Sequence, residues 1–265
     1  MSLLPLYQQV EHQEWIDIPS GWLQGRTVFG GLVAGLLIQK AQSVVHDTTK
    51  QLLSCNVTFV GPVQEGQAKL TAEVLREGKS VTTLEVRLWQ ADTVQSILIA
   101  SFGSQRESRI HVQNLPQIPD YPLPAQLEKT AYIEGLMPQC FQQFELCWAE
   151  GYYPMAGSKL PDFGGWCRFI PQLHPNREMK LADLFGLMDV WPPGVLPMFK
   201  TPAPASSLTW QITYLQPIAH QVQDWFKYKV VTEYAEHGYS TEYAYLWDDE
   251  NRLIAVLRQT VAVFA

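Results

Sequence analysis

An acidic residue at the end of an apolar helical pattern is the first candidate for chemistry in this sequence. Asp189 follows the run MKLADLFGLM and falls on the same side as its apolar residues. Those residues are Leu181, Leu184, Phe185 and Met188. A carboxylate that points toward a core is costly unless it is hydrogen-bonded or borders a wet cavity. Asp189 is therefore either a functional group or, if the helix ends before it, a residue turned to solvent.

Two strand patterns carry further polar side chains that could accompany this acid. Gln259 interrupts the apolar strand LIAVLRQTVAVF. Between 206 and 214, alternation predicts one face with Ser207, Thr209, Gln211 and Thr213, and the opposite face with Leu208, Trp210, Ile212 and Tyr214. Hydroxyl and amide groups on strands are also common at the protein surface. The pattern is therefore equally consistent with solvent exposure of each of these polar side chains.

The motifs of several other chemistries are absent from the sequence. It has no G-x-S-x-G elbow, no glycine-rich dinucleotide fingerprint and no Walker sequence. The six histidines are scattered, and no Cys/His spacing suits zinc. We therefore expect neither a metal nor an organic cofactor.

Charge and composition narrow the possible partners. The net charge is −7 without a compensating run of Lys or Arg, which argues against binding to nucleic acid or an anionic membrane. The apolar runs are too short for a membrane span, and the opening residues lack the pattern of a signal peptide. The four cysteines have no CxxC spacing, which predicts free thiols in a reducing compartment, the cytoplasm.

The elements that must position these residues occur twice. Residues 53–63 (LSCNVTFVGPV) resemble residues 208–218 (LTWQITYLQPI) at an offset of 155. Ile99-Ala100 matches Ile254-Ala255 at the same offset, and Phe29-Gly30 matches Phe185-Gly186 at 156. These offsets place Val33 opposite Asp189, and Ser104 opposite Gln259. Two copies at this spacing indicate a duplicated domain, because solenoid repeats are much shorter.

Each copy combines one helix with four strands. Apolar periodicity predicts helices over 30–46 and 179–190. Strands are predicted at 52–60, 68–76, 81–90 and 95–103, and again at 206–216, 225–235, 239–248 and 252–264, with two lead-in strands at 141–149 and 164–171. Residues up to 24 are predicted as a lead-in strand or loop. The pattern is that of an α+β unit in which a sheet wraps a helix.

These units define the expected domains. We place the first at 1–110 and the second at 140–265, joined by a proline-rich linker at 111–139 that lies on the surface. The two sheets are expected to join edge to edge, because each half alone would leave an unpaired edge strand.

The chain resembles the TesB-like acyl-CoA thioesterases. The resemblance extends over most of its length and is carried by GRTVFGGLVAGLL (25–37), VTFVGPVQEGQAKLTAEVLREGKSV (57–81), LMDVWPPG (187–194), SSLTWQITYLQP (206–217) and LIAVLRQ (253–259). It implies a double hotdog fold, in which two long helices are each wrapped by an antiparallel sheet. It also implies acyl-CoA as the substrate. From the repeat, we expect the complete chain to mimic a hotdog dimer and consider a further homodimer of it.

The resemblance assigns a role to each polar candidate. Members of the family use an Asp, a Ser or Thr and a Gln to hold and activate a water that attacks the thioester. By motif these are Asp189, Ser207 and Gln259, with Thr209 as the reserve hydroxyl. By analogy, Gly30 and Gly31 at the start of the first helix are candidates for the oxyanion hole. The aromatic residues of 141–169 and Trp191 could line the acyl pocket, and Arg26, Arg76 and Lys79 could meet the CoA diphosphate.

Two other functions compete with hydrolysis. A hotdog hydratase is disfavoured because no Asp/His pair occurs in a suitable strand and helix context. A protein that binds acyl-CoA or another lipid without turnover stays open on sequence grounds alone.

Overall fold

The N-terminal segment contains a helix that the sequence did not predict. The computed structural model describes residues 2–264, so Met1 and Ala265, the outer ends of the two expected domains, lie outside the described residues. Helix α1 (Leu4–His12) precedes the short strands β1 (Trp15–Ile18), β2 (Leu23–Gln24) and β3 (Thr27–Val28). The prediction of only a strand or loop in this segment was wrong, because α1 is short and owes its stability to packing on the helix that follows β3.

The first copy follows the predicted order of one helix and four strands. Its elements are α2 (Gly30–Val44), β4 (Lys50–Phe59), β5 (Gly66–Glu77), β6 (Val81–Gln90) and β7 (Thr93–Ser104). Strand β6 shows the expected alternation, with Leu84, Val86 and Leu88 fully buried. Helix α2 packs on β5, β6 and β7, so the sheet wraps it.

The second copy repeats this order after two lead-in strands, β8 (Phe144–Gly151) and β9 (Phe163–Phe169). Its elements are α3 (Leu181–Asp189), β10 (Ala205–Tyr214), β11 (Phe226–Glu236), β12 (Tyr239–Asp248) and β13 (Leu253–Val263). Three short 3-10 helices lie in the connections, at Pro124–Gln126, Gln139–Gln143 and Leu196–Met198.

One antiparallel sheet of eleven strands unites the two copies, in the order β1-β5-β6-β7-β4-β10-β13-β12-β11-β9-β8. The two halves join through β4 and β10, where Asn56 pairs with Gln211. These two residues are equivalent at the repeat offset of 155, so the junction lies on the pseudo-twofold axis of the duplication. The double hotdog and its edge-to-edge sheet are confirmed.

The two central helices pack closely and run antiparallel. A Cβ at Gly31 would lie 2.7 Å from the carbonyl oxygen of Phe185, and a Cβ at Gly35 would lie 2.8 Å from that of Ala182. Only glycine therefore lets the two backbones approach this far. The antiparallel arrangement brings the end of α3, with Asp189, to the start of α2.

The proline-rich segment is fastened to the second copy. Trp166 Nε1 donates to the carbonyl of Pro122 at 2.9 Å, and Lys227 Nζ donates to that of Pro119 at 3.0 Å. Further along, Lys129 bridges to Cys147 on β8. The segment thus covers an otherwise open sheet edge.

Candidate active site

Asp189 is the last residue of α3 and lies against the first turn of α2. A Cβ at Gly30 would lie 2.9 Å from its Oδ2 and 3.4 Å from the ring of Phe59. The glycine therefore makes room for the carboxylate at the helix start. The Gly31 N–H, which has no partner within its own helix, lies near enough to the carboxylate to favour its charged form. Asp189 keeps only part of its surface exposed.

This surrounding changes the acidity of Asp189. Removal of the carboxylate from water raises its pKa from 3.8 to about 7, and the nearby Glu242 adds to the rise. The Gly31 N–H opposes the rise because it favours the charged form. An acid with a pKa close to neutrality can accept a proton and release it again under mild conditions.

A β-bulge turns Ser207 toward the interior. Strand β10 pairs Ser207 with Val261 but Thr209 with Thr260, so Leu208 is an extra residue in the ladder. Alternation changes phase there: Ser207 is half-buried, on the same side as the buried Trp210, whereas Thr209 is exposed. The expectation that Ser207 and Thr209 share a face was wrong, because a bulge shifts the period by one residue.

Gln259 meets Ser207 across these strands. Its Nε2 donates to the Ser207 Oγ at 2.9 Å. Gln259 is half-buried and pairs with Trp210 on β10. The structure thus brings the predicted hydroxyl and amide together on the inner side of the sheet, while the reserve residue Thr209 lies on the outer side.

Strand pairing corrects the repeat partner of Gln259. Trp210 pairs with Gln259, and its equivalent, Cys55, pairs with Ala100. Gln259 therefore corresponds to Ala100 and not to Ser104, an offset of 159. The match of Ile99-Ala100 with Ile254-Ala255 is out of register, because the connections after β10 and after β12 are longer than those after β4 and after β6.

The same pairing reveals an acid that sequence reasoning missed. Thr232, Glu242 and Gln259 lie side by side on β11, β12 and β13. Their counterparts in the first copy are Val74, Leu84 and Ala100 on β5, β6 and β7. Glu242 is 4% exposed, and its Oε2 accepts from the Gly194 N–H at 2.8 Å. The signal was its alternation with Ala244 and Leu246 on a buried strand face.

Aromatic side chains form a wall beside the acid. Trp191, two residues after Asp189, stacks on Tyr228 with ring centroids 5.2 Å apart and an interplanar angle of 2°. Trp148 lies 5.1 Å from Trp191 and 4.7 Å from Phe163. Trp191, Tyr228 and Phe163 are buried, whereas Trp148 is partly exposed.

The three predicted cations do not gather in one place. Arg26 is exposed in the turn between β2 and β3, which leads directly into α2. Arg76 and Lys79 are exposed beside Gly78, whose carbonyl contacts Lys50 at the other end of β4 from Phe59. Since β4 spans roughly 30 Å at the usual strand rise, Arg76 and Lys79 lie away from Asp189.

Within residues 2–264, no group of three or more His, Cys, Asp or Glu side chains is arranged to hold a metal ion. The same part of the chain contains no helix that is long and apolar enough to cross a membrane.

Sequence comparison identifies the family. Residues 18–103 match the profile of the acyl-CoA thioesterase N-terminal domain, and residues 116–263 match that of the acyl-CoA thioesterase C-terminal domain. The chain belongs to the acyl-CoA thioesterase family. This thioesterase is a thioester hydrolase, and the predicted resemblance is confirmed. Among curated proteins, none matches its sequence significantly.

Solved structures share the thioesterase's fold at low sequence identity. A conserved protein of unknown function with a hot dog fold from Alicyclobacillus acidocaldarius is 21% identical, with a TM-score of 0.81 over 95% of this chain and 92% of that one. The acyl-CoA thioesterase II TesB2 of Mycobacterium marinum is 16% identical, with a TM-score of 0.72 over 97% of both chains. The TesB protein of Mycobacterium avium subspecies paratuberculosis is 13% identical, with a TM-score of 0.75 over the full length of both.

Proposed function

We propose that this thioester hydrolase cleaves acyl-CoA by direct attack of a water molecule that Ser207 and Gln259 hold and Asp189 deprotonates. The observation that carries the proposal is the 2.9 Å hydrogen bond between Gln259 and Ser207 on the inner side of the sheet. The pKa of Asp189, raised to about 7, supports its role as a general base.

The reaction needs no covalent enzyme intermediate. The water oxygen attacks the thioester carbonyl carbon while Asp189 takes its proton. The tetrahedral intermediate then collapses as the C–S bond breaks, and the thiolate of CoA leaves and recovers the proton from Asp189. Within residues 2–264, Ser207 accepts a hydrogen bond from Gln259 and makes none with a histidine, which disfavours a Ser-His route through an acyl-serine.

The start of α2 can stabilise the developing oxyanion. Its first N–H groups have no partner in the helix and lie at the positive end of the helix dipole. The Gly31 N–H favours the charged form of Asp189, so we assign Gly31 to the base. We assign the oxyanion to the Gly30 N–H, one residue earlier in the same turn.

The surroundings favour particular positions for the two ends of the substrate. The wall of Trp191, Trp148 and Phe163 offers apolar contact for the acyl chain next to Asp189. Of the three predicted cations, Arg26 lies at the same end of the molecule as Asp189, because it is in the turn that leads into the start of α2. We therefore propose Arg26 for the CoA diphosphate and no longer Arg76 or Lys79.

Release of free CoA tests the function. The purified chain is incubated with acyl-CoA substrates of increasing acyl length, and the liberated thiol is measured with a chromogenic reagent. We expect release by the wild type and its loss in Asp189→Asn. Saturable binding of acyl-CoA without thiol release would instead support the lipid-binding alternative. Family membership favours the hydrolase over that alternative.

The state of the cysteines is informative about the cellular compartment of the protein. Cys55, Cys140, Cys147 and Cys167 are all unpaired and buried. This state is stable where thiols stay reduced, which supports our expectation of the cytoplasm. Fractionation of cells that express the tagged chain tests this expectation.

A further inference from the structure

Glu242 is a buried acid that the proposed mechanism does not use. It is 4% exposed, and its Oε2 accepts a 2.8 Å hydrogen bond from the Gly194 N–H. The Gly194 backbone lies directly on the sheet, because a Cβ there would be 2.5 Å from the Thr232 Oγ1 and 3.3 Å from the Glu242 Oε2. Thr232 and Glu242 are paired neighbours on β11 and β12. These two strands are thus the surface on which the Gly194 backbone rests.

A comparison of the two copies explains why this acid occurs only once. The equivalent residue of the first copy, Leu84, is fully buried, so the fold accepts a leucine at this place. In the first copy, residues 45–49 connect α2 with β4, whereas the longer segment 190–204 connects α3 with β10 in the second. Gly194 belongs to that longer segment. A buried carboxylate is costly, and Glu242 is present in the copy whose connection offers it a hydrogen bond.

Segment 190–204 carries Trp191, which belongs to the aromatic wall beside the site. The Trp191 ring stacks on Tyr228 with centroids 5.2 Å apart and lies 5.1 Å from the ring of Trp148. The two residues between Trp191 and Gly194 are prolines. Because a proline ring fixes φ, the backbone between them has little freedom. The hydrogen bond at Gly194 therefore restricts where the Trp191 ring can lie.

Gly194 is held through both of its backbone polar groups. Its N–H donates to Glu242, and its carbonyl accepts from the Asp162 N–H at 3.1 Å. Asp162 is fixed in turn, because its Oδ1 accepts from the Thr232 N–H at 2.6 Å. The residues that follow Gly194 pack separately on β13. Loss of the Glu242 carboxylate would therefore leave the segment folded with one buried N–H lacking its acceptor, and the backbone beside Trp191 would move to bring that N–H to water.

We infer that Glu242 is a positioning residue for the acyl pocket: through Gly194 it holds Trp191 in the wall that contacts the acyl chain. The inference rests on the proposed function, because it concerns the same pocket. Glu242 also pairs directly with Gln259 across β12 and β13. The strand that holds the wall is thus the neighbour of the strand that carries the amide of the water site. The acid therefore fixes the position of the wall relative to the attacking water.

The inference predicts an effect that depends on acyl length. Glu242→Leu introduces the residue of the first copy and removes the acceptor. We expect its KM to rise about tenfold for decanoyl-CoA, the scale of one hydrogen bond to a charged group. For acetyl-CoA, which has only a methyl group to contact the wall, KM should stay unchanged, and kcat should change little for either substrate. Glu242→Gln keeps an acceptor oxygen and should behave like the wild type.

A double variant tests whether Glu242 acts through the wall. Trp191→Ala should raise KM for decanoyl-CoA by itself, and the addition of Glu242→Leu should raise it little further, because both changes remove the same contact. Gly35→Ala is the stability control, since it weakens the contact between α2 and α3 and leaves segment 190–204 intact. It should leave the ratio of the two KM values unchanged.

Hydrogen exchange of the Gly194 amide measures the bond itself, independently of turnover. Exchange should be slow in the wild type and in Glu242→Gln, and at least about tenfold faster in Glu242→Leu. Gly194→Ala provides a second route if Glu242→Leu folds poorly. Its Cβ would meet the Thr232 Oγ1 and lift the segment from the sheet, so the same rise in KM for decanoyl-CoA is expected.

Three results would overturn the inference. They are an equal rise of KM for acetyl-CoA and decanoyl-CoA, multiplicative effects of Glu242→Leu and Trp191→Ala, and unchanged exchange of the Gly194 amide in Glu242→Leu. A protein that releases no CoA, yet shows faster exchange and weaker binding of decanoyl-CoA in Glu242→Leu, would contradict the proposed function. The role of Glu242 in holding the pocket would stand in that case.

Discussion

Gln259 and Ser207 are joined by a 2.9 Å hydrogen bond although 52 residues separate them in the chain. The bond forms because Leu208 bulges out of β10 and turns Ser207 inward. In the first copy, Leu53 bulges at the equivalent place, but the inward residue there is the apolar Leu52. The duplication thus provides the same backbone twice and polar side chains in one copy only.

Ser207 and Gln259 should together position one water molecule. We expect Ser207→Ala and Gln259→Ala each to lower kcat by about 10–100-fold with little change in KM, because binding energy is lost mainly in the transition state. The double variant should lose less than the product of the two single losses. Steady-state kinetics of the four proteins measure this coupling.

Thr209→Ala is the matched control for the pair. Thr209 lies on the same strand but is exposed on the outer face of the sheet, so its replacement should leave turnover unchanged. A loss in Thr209→Ala equal to that in Ser207→Ala would contradict the assignment. Strictly multiplicative losses in the double variant, or an acyl-Ser207 adduct found by mass spectrometry, would also exclude a shared water.

Asp189→Asn should remove most of the turnover without unfolding the chain. The amide is nearly isosteric but accepts no proton, and general bases contribute about 10²–10⁴-fold. Asp183→Asn is the control, because Asp183 is a buried acid on the same helix that takes no part in the proposed reaction. It binds Arg177 at 2.7 Å and Tyr7 at 3.1 Å, away from the site. We expect it to lower stability and to spare kcat, whereas half of the wild-type kcat in Asp189→Asn would exclude the base.

The rate of the wild type should rise with pH through about 7, the value to which burial raises the pKa of Asp189. Only the ionised carboxylate accepts a proton, so kcat/KM should fall about tenfold for each pH unit below this midpoint. A series of buffers of constant ionic strength provides the profile. A midpoint near the ordinary pKa of an aspartate would show that Asp189 is not the group that limits the reaction.

Asp189→Asn should also make the protein more stable at alkaline pH. The pKa of Asp189 is higher in the folded protein than in the unfolded chain, so protonation favours folding. This contribution is complete below about pH 4 and is lost as the pH rises through about 7. In Asp189→Asn no carboxyl group ionises at this position, so the variant does not lose this stability as the pH rises. Its Tm should therefore exceed that of the wild type by several degrees at about pH 8. Thermal unfolding shows whether this difference disappears at about pH 4, as the linkage requires.

Gly35→Ala should weaken the contact between the two central helices. The new Cβ would lie 2.8 Å from the Ala182 carbonyl, which belongs to the backbone of α3 and moves only with the helix. We expect a loss of about 1–3 kcal/mol in the free energy of unfolding. Gly186→Ala is the control, since its Cβ would meet the Phe169 ring at 3.3 Å and the ring can shift. Urea denaturation compares the two, and equal losses would contradict this account of the helix contact.

Much of the fold could be predicted because its signals are local. The helix of α2 was predicted at 30–46 and lies at Gly30–Val44, and β12 was predicted at 239–248 and lies at Tyr239–Asp248. Helix α1 was missed because a short helix with few apolar positions depends on the surface that it covers. Tyr7 on α1 is buried and donates a hydrogen bond to Asp183. Because 176 residues separate the two, no local sequence pattern predicts this contact.

The sequence by itself determined the duplicated α+β architecture, the edge-to-edge joint and the residue types of the proposed site. These features follow from hydrophobic periodicity and internal repeats, which are properties of the residue order alone. The tertiary structure decided which way Ser207 points, that Gln259 corresponds to Ala100, and that Glu242 pairs with Gln259. It also decided that Arg76 and Lys79 lie far from the acid. These relationships depend on bulges, loop lengths and strand register. Such features shift alignments by one to several residues, and they are fixed only when all strands pair in one sheet around the helices.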